Sequence, residues 1–120
     1  MPVYNARRSK IDTEGHDIII LHTLYPYLHN IRSIIFEFTV FWYGEDMNAC
    51  ISRSCDALRH LHSVYAYVYM LSRRGPPNLL QLRTVDELDL FVNTLYKQRL
   101  QVDILVTNTR ITTVPIRYMR

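Results

Sequence analysis

The chain has 120 residues, 48% of them apolar and 21% charged, and carries a net charge of +3. A domain of this length hides roughly two-thirds of its unfolded surface, enough for a core without metal or disulfide staples, so the composition excludes a disordered chain and a stapled miniprotein. Its apolar runs, Ile18–Leu21 and Ile31–Tyr43, fall short of the ~20 residues a bilayer helix needs, so no membrane partner is expected.

Residues 1–15 are polar, include Arg7, Arg8 and Lys10, show no periodicity and end at Gly15; they predict a flexible basic arm ahead of a single α+β domain over 16–120. Residues 16–30 stay open, and His16 to Thr23 fits either an added strand or a short helix. From Ile34 the period becomes two: Ile34, Phe36, Phe38, Val40 and Trp42 alternate with Ile35, Glu37, Thr39, Phe41 and Tyr43. Branched and aromatic residues in that rhythm predict a strand, broken at Gly44. Asp46 is a candidate helix N-cap, and Ile51, Cys55, Leu58 and His62 follow at helical spacing.

Ser63-Val64-Tyr65-Ala66-Tyr67-Val68-Tyr69-Met70 again alternates, which predicts that the helix ends near Leu61 and a strand starts at about His62. Arg73-Arg74-Gly75-Pro76-Pro77 is turn chemistry, and Leu80 with Leu82 marks a short strand. Thr84 and Glu87 form a capping-box signature for a helix with its apolar stripe on Leu88, Phe91, Val92 and Leu95, ending near Arg99. Val102, Ile104 and Val106 predict the next strand, Asn108 a turn, and Ile111 to Val114 a possible C-terminal hairpin.

Strand, helix, strand, strand, helix, strand is the ferredoxin-like βαββαβ order, with two helices on one face of an antiparallel sheet. The helix-covered face collects Ile34, Phe36, Phe38, Val40, Val64, Ala66, Val68, Leu80, Leu82, Val102, Ile104 and Val106. The opposite, open face collects Glu37, Thr39, Phe41, Tyr43, Tyr65, Tyr67, Tyr69, Gln81, Arg83 and Asp103, with Arg73 and Arg74 at the neighbouring turn. Glu37 is expected to be solvated there.

Such a face has two ordinary uses: bases of single-stranded nucleic acid stack on it, or two copies bury it as a homodimer. Twelve arginines against two lysines suit planar contacts with phosphate, carboxylate or aromatic rings. The expectation is therefore a non-enzymatic binding and assembly module, a homodimer or a small viral or regulatory protein. Self-association comes first, single-stranded nucleic acid is the leading other partner, and no cofactor is implied. Cys50 and Cys55 lack a paired CxxC and read as two buried apolar residues in a reducing compartment, cytoplasmic or nuclear.

Parts of this pattern carry three resemblances to known families. Tyr65-Ala66-Tyr67-Val68 resembles the core of the aromatic signature strand of RNA-recognition-motif domains, which implies base stacking on Tyr65 and Tyr67. His60-Leu61-His62 resembles the His-hydrophobic-His motif of rolling-circle replication initiators and single-tyrosine transposases. That resemblance implies a divalent metal on His60 and His62 and a nucleophile at Tyr96, against the alternative of two surface or helix-end histidines. The layout around Asp86-Glu87-Leu88 and Val102 to Thr107 is similar to dimeric α+β-barrel proteins, which implies a small-molecule pocket between helices and sheet.

Overall fold

The computed structural model describes residues 8–11, 17–71 and 79–112. Its sheet is organised around two seven-residue strands, β2 (Ser33–Thr39) and β5 (Gln101–Thr107), paired antiparallel from Ser33 opposite Thr107 to Thr39 opposite Gln101. β3 (Tyr67–Leu71) flanks β5 on the other side, and β4 (Leu79–Leu82) pairs antiparallel with β3. β1 (Arg8–Ile11) runs parallel to β2. The lateral order is β1-β2-β5-β3-β4. Residues 8–11 of the expected arm thus form an edge strand. The rest of 1–15, together with Arg73, Arg74 and the second half of the expected hairpin at Ile111–Val114, lies outside the described residues.

The chain is α+β as expected, but its strand order departs from the ferredoxin-like one. Taking the four expected strands in chain order as first to fourth, they lie side by side as first, fourth, second, third. The final described strand, β5, therefore separates β2 from β3.

The helices follow from caps and apolar stripes. α1 (Asp17–Leu24) and a 3₁₀ turn at Tyr25–Asn30 decide the open segment in favour of helix. α2 (Met47–Val64) starts where Asp46 accepts the Ala49 N–H at 2.8 Å. α3 (Val85–Gln98) has the expected capping box: Thr84 Oγ1 accepts the Glu87 N–H at 3.1 Å, and Glu87 Oε2 accepts the Arg83 N–H at 2.7 Å. It closes on Arg99, whose left-handed backbone (φ 53°) ends the helix while Leu100 N–H donates to Leu95 O at 3.1 Å.

The core joins the helices to one sheet face. Leu58, Leu61, Leu88 and Val92 pack with Ile34, Phe36, Phe38, Val68, Ile104 and Val106, and Ile18, Leu21, Leu28 and Ile31 extend the cluster. Each such side chain contributes about 1.5–3 kcal/mol on leaving water. Val64, Ala66 and Leu80, expected in this core, are instead exposed.

Two boundaries differ from expectation. The first expected strand stops at Thr39 rather than Tyr43, so Phe41 and Tyr43 lie in the loop beyond it. α2 runs on to Val64, and the next strand begins only at Tyr67. An 18-residue helix rises about 27 Å, whereas a seven-residue strand spans about 23 Å. The crossover from the end of β2 to the start of β3 must travel that full length, which α2 and its flanking loops do.

Candidate functional site

The expected tyrosine surface is divided among three places. Tyr65 caps the C-terminus of α2 and is only 3% exposed. Its hydroxyl donates to Ile31 O at 2.8 Å, with Leu28 O at 3.3 Å. Burial pushes this phenol up to about 12. Tyr65 is thus a core residue joining α2 to the 3₁₀ turn, and it offers no ring to a ligand.

Tyr67 and Tyr69 do lie on the sheet face away from the helices, their rings stacked with centroids 6.0 Å apart. That face is closed at its centre. Tyr69, Leu71 and Leu105 are buried together, with Ile35, Leu79 and Ile111 packed against them. Ile111 N–H donates to the Tyr69 hydroxyl at 3.0 Å, so the segment after β5 returns across the ring. Of the two expected tyrosines that lie on this face, Tyr69 is buried within one chain and Tyr67 is half-buried.

The same face holds a feature that sequence reasoning misjudged. Glu37, expected in solvent, is buried, and its register partner across β2 and β5 is the buried Asp103. The alternation placed both acids on this face correctly. Their juxtaposition needed the strand register, which periodicity does not supply.

Phe41 and Tyr43 occupy the far end of the sheet, beyond the Thr39–Gln101 pair, whereas Tyr67 lies opposite Thr107. The length of β5 separates the two groups by about 20 Å. At this far end the loop between β2 and α2 meets the end of α3. Tyr43 packs edge-on against Phe41 at 5.1 Å, and Tyr96 approaches Phe41 at 6.0 Å. The Arg99 guanidinium lies 3.7 Å from the Phe41 centroid and 4.6 Å from that of Tyr96. Tyr43 is 94% exposed.

The loop that presents these rings is tied down. Arg53 on α2 pairs with Glu45, donates to Val40 O at 3.3 Å and lies 4.5 Å over the Trp42 ring. Glu45 N–H donates to Trp42 O at 3.3 Å, closing a turn in which Gly44 takes a positive φ of 78°. Sequence reasoning found Phe41 and Tyr43 but treated Arg99 only as a helix end and missed Arg53. The available signal was an arginine at the end of a helix whose preceding turn carries Tyr96.

His60 and His62 both belong to α2, not to a strand. Two residues apart on a helix they diverge by about 200°. His60 stacks on Tyr25 at 4.0 Å, while His62 Nε2 lies 3.1 Å from Arg83 O at the start of α3. No cluster of three or more histidine, cysteine or acidic residues suited to a metal occurs among the described residues. Arg59 on α2 pairs with Asp89 on α3, and Tyr96 is seven residues further along α3, about 10 Å away along its axis. The three residues of the nicking arrangement are therefore not brought together.

Arg83 stands exposed at the end of β4, beside a groove of ≈ 550 Å³ whose walls include Tyr69, Gln81, Arg110 and Ile111. Cys50 and Cys55 are free and buried, and burial lifts the Cys55 thiol to about 11. No helix among the described residues is long and apolar enough to cross a membrane. Comparison with known proteins adds no relative: no family model matches the chain, and neither does any curated protein.

Proposed function

We propose that this protein is a non-enzymatic, intracellular binding module that holds single-stranded nucleic acid at the aromatic–arginine end of its sheet. The observation that carries this reading is Tyr43, 94% exposed on a turn held by Arg53 and backed by Phe41, Tyr96 and Arg99. An aromatic ring that stays in solvent on a braced loop loses little entropy when a base stacks on it. The Arg99 guanidinium already covers Phe41 while its Nη1 donates to Tyr96 O at 3.3 Å, and the remaining N–H groups of a stacked arginine can meet a phosphate. The chain's +3 charge favours such a partner without steering strongly.

Self-association through Tyr67 and Tyr69 is the less favoured use, because Tyr69 and Leu105 retain 2% and 3% exposure and have little left to bury. Two unpaired thiols inside the fold accord with a reducing compartment.

Fluorescence anisotropy with a labelled twelve-nucleotide oligothymidine and its oligouridine counterpart tests the reading. Binding should be measurable at low salt and weaken steeply as salt rises, through counterion release. Tyr43→Ala should lower affinity by about 5- to 150-fold, the loss of one stacked base at 1–3 kcal/mol. Arg99→Ala should flatten the salt slope by about 0.7 for each phosphate that is no longer neutralised. Failure to bind either oligonucleotide at low salt, or equal binding by Tyr43→Ala, would remove the proposed function.

A further inference from the structure

We propose that the outer edge of β4 docks an extended acidic peptide, which adds to the sheet as a further strand and sets its carboxylates against Arg83 and Arg110. This site is independent of the aromatic cluster and does not rest on nucleic-acid binding.

β4 is the last strand in the lateral order, so among the described residues one of its sides has no strand beside it. A strand edge offers main-chain donors and acceptors at regular spacing, which proteins ordinarily hide or protect with charge. Here the charge has one net sign. The groove alongside is walled by Arg83 and Arg110, and neither guanidinium has an acidic partner among the described residues. Glu87 also lines it, but its Oε2 is committed to the Arg83 N–H at 2.7 Å as part of the α3 cap. A basic peptide would meet two guanidinium groups, whereas an acidic one would neutralise them.

The strand also specifies the alternation of its partner. Leu79 and Gln81 share the register positions of Leu71 and Tyr69, on the groove side, while Leu80 faces the other way and is 48% exposed. A neighbouring strand has the same period of two. Its alternate side chains therefore face the arginines and Leu80 in turn, which suits acid alternating with aliphatic. Hydrogen bonds from the backbone would supply affinity and the two sets of side chains would supply selection, as in strand addition generally.

A capped six-residue peptide alternating glutamate and valine is the probe. Its binding is followed by NMR shifts and hydrogen-exchange protection of those Leu79–Leu82 amides that face away from β3. Protection at those amides, at least tenfold weaker binding of the lysine–valine counterpart and loss of binding on N-methylation of alternate peptide residues are expected. The double substitution Arg83→Glu with Arg110→Glu, both on exposed side chains, should reverse the preference toward the lysine peptide while leaving the thermal midpoint near that of the parent. Equal binding of the two peptides, retention after N-methylation, or shifts that avoid β4 would overturn the proposal. So would a peptide-free dimer in sedimentation that already protects the β4 amides, since that assigns the edge to a second copy of the chain.

Discussion

The two ends of the sheet use the same kind of residue in opposite ways. At one end Tyr65 is sunk between α2 and the 3₁₀ turn, its hydroxyl satisfied by the carbonyls of Ile31 and Leu28. At the other, Tyr43 is 94% exposed and packs edge-on against Phe41, which Tyr96 approaches in turn. Residue type does not separate them. The difference lies in what the chain places opposite each ring: helix and turn close over the first, whereas the second sits on a short loop with Arg53 and Arg99 bracing it from below and beside. Tyrosine serves as mortar in one setting and as a handle in the other.

That contrast can be broken by substitution. The largest effect belongs to the closed end: Tyr65→Ala leaves a cavity and takes the hydroxyl donor from Ile31 O, and should cost about 3–5 kcal/mol, measured by denaturant unfolding. A loss below about 1 kcal/mol would mean that Tyr65 is not a core residue. Next in size is a pH effect at the same ring. Burial raises its phenol from 10.0 to about 12, so the native state keeps a proton that the unfolded chain gives up. The associated stability is whole below pH 10 and declines as the pH rises from 10 toward 12. Tyr65→Phe has no such proton and should show a shallower alkaline decline, after an initial penalty of about 1–3 kcal/mol for the unsatisfied Ile31 carbonyl.

Substitutions at the open end are smaller and act on binding. Gly44 has room for a methyl group, with no atom within 4 Å of the added carbon, but its φ of 78° is unfavourable for any side chain. Gly44→Ala should therefore cost about 1 kcal/mol through backbone strain alone, and should weaken oligonucleotide binding by disturbing the turn that presents Tyr43. Tyr43→Ala is the mildest for the fold, within about 0.5 kcal/mol by thermal unfolding, with its effect confined to affinity. A large destabilisation by this change would erase the distinction between the two ends.

Local chemistry makes much of the fold readable in advance. Asp46 and Thr84 with Glu87 cap their helices as their spacing implies, because a short polar side chain finds N–H groups within one turn. The β5 alternation and the stop near Arg99 also hold, both being set by neighbours in the chain. The Tyr65 segment escapes such a reading for a definite reason. Leu58, Leu61 and Tyr65 are spaced three and four apart, so they also satisfy a helix. Over so few residues the two periods coincide, and the tie is settled by Leu28 and Ile31, 37 and 34 residues away. Lateral strand order and the Glu37–Asp103 juxtaposition depend on the same kind of distant pairing. The candidate site is legible in half: Phe41 and Tyr43 stand out as rings. Their separation from Tyr67 comes from the register, which sets Thr39 opposite Gln101 at one end of β5 and Tyr67 opposite Thr107 at the other, and Arg99 joins them only because α3 ends beside the loop.

The central seat of β5 has a consequence for biosynthesis. β2 and β3 touch each other only through this strand, which is the last of the described strands to be translated. A nascent chain still lacking it can wind α2 and fold the β3–β4 hairpin, but those pieces have nothing between them to zip onto. Emergence of Gln101–Thr107 from the ribosome is then the event that turns separate fragments into one cooperative sheet, and until that moment the facing edges of β2 and β3 keep their backbone N–H and C=O groups without strand partners.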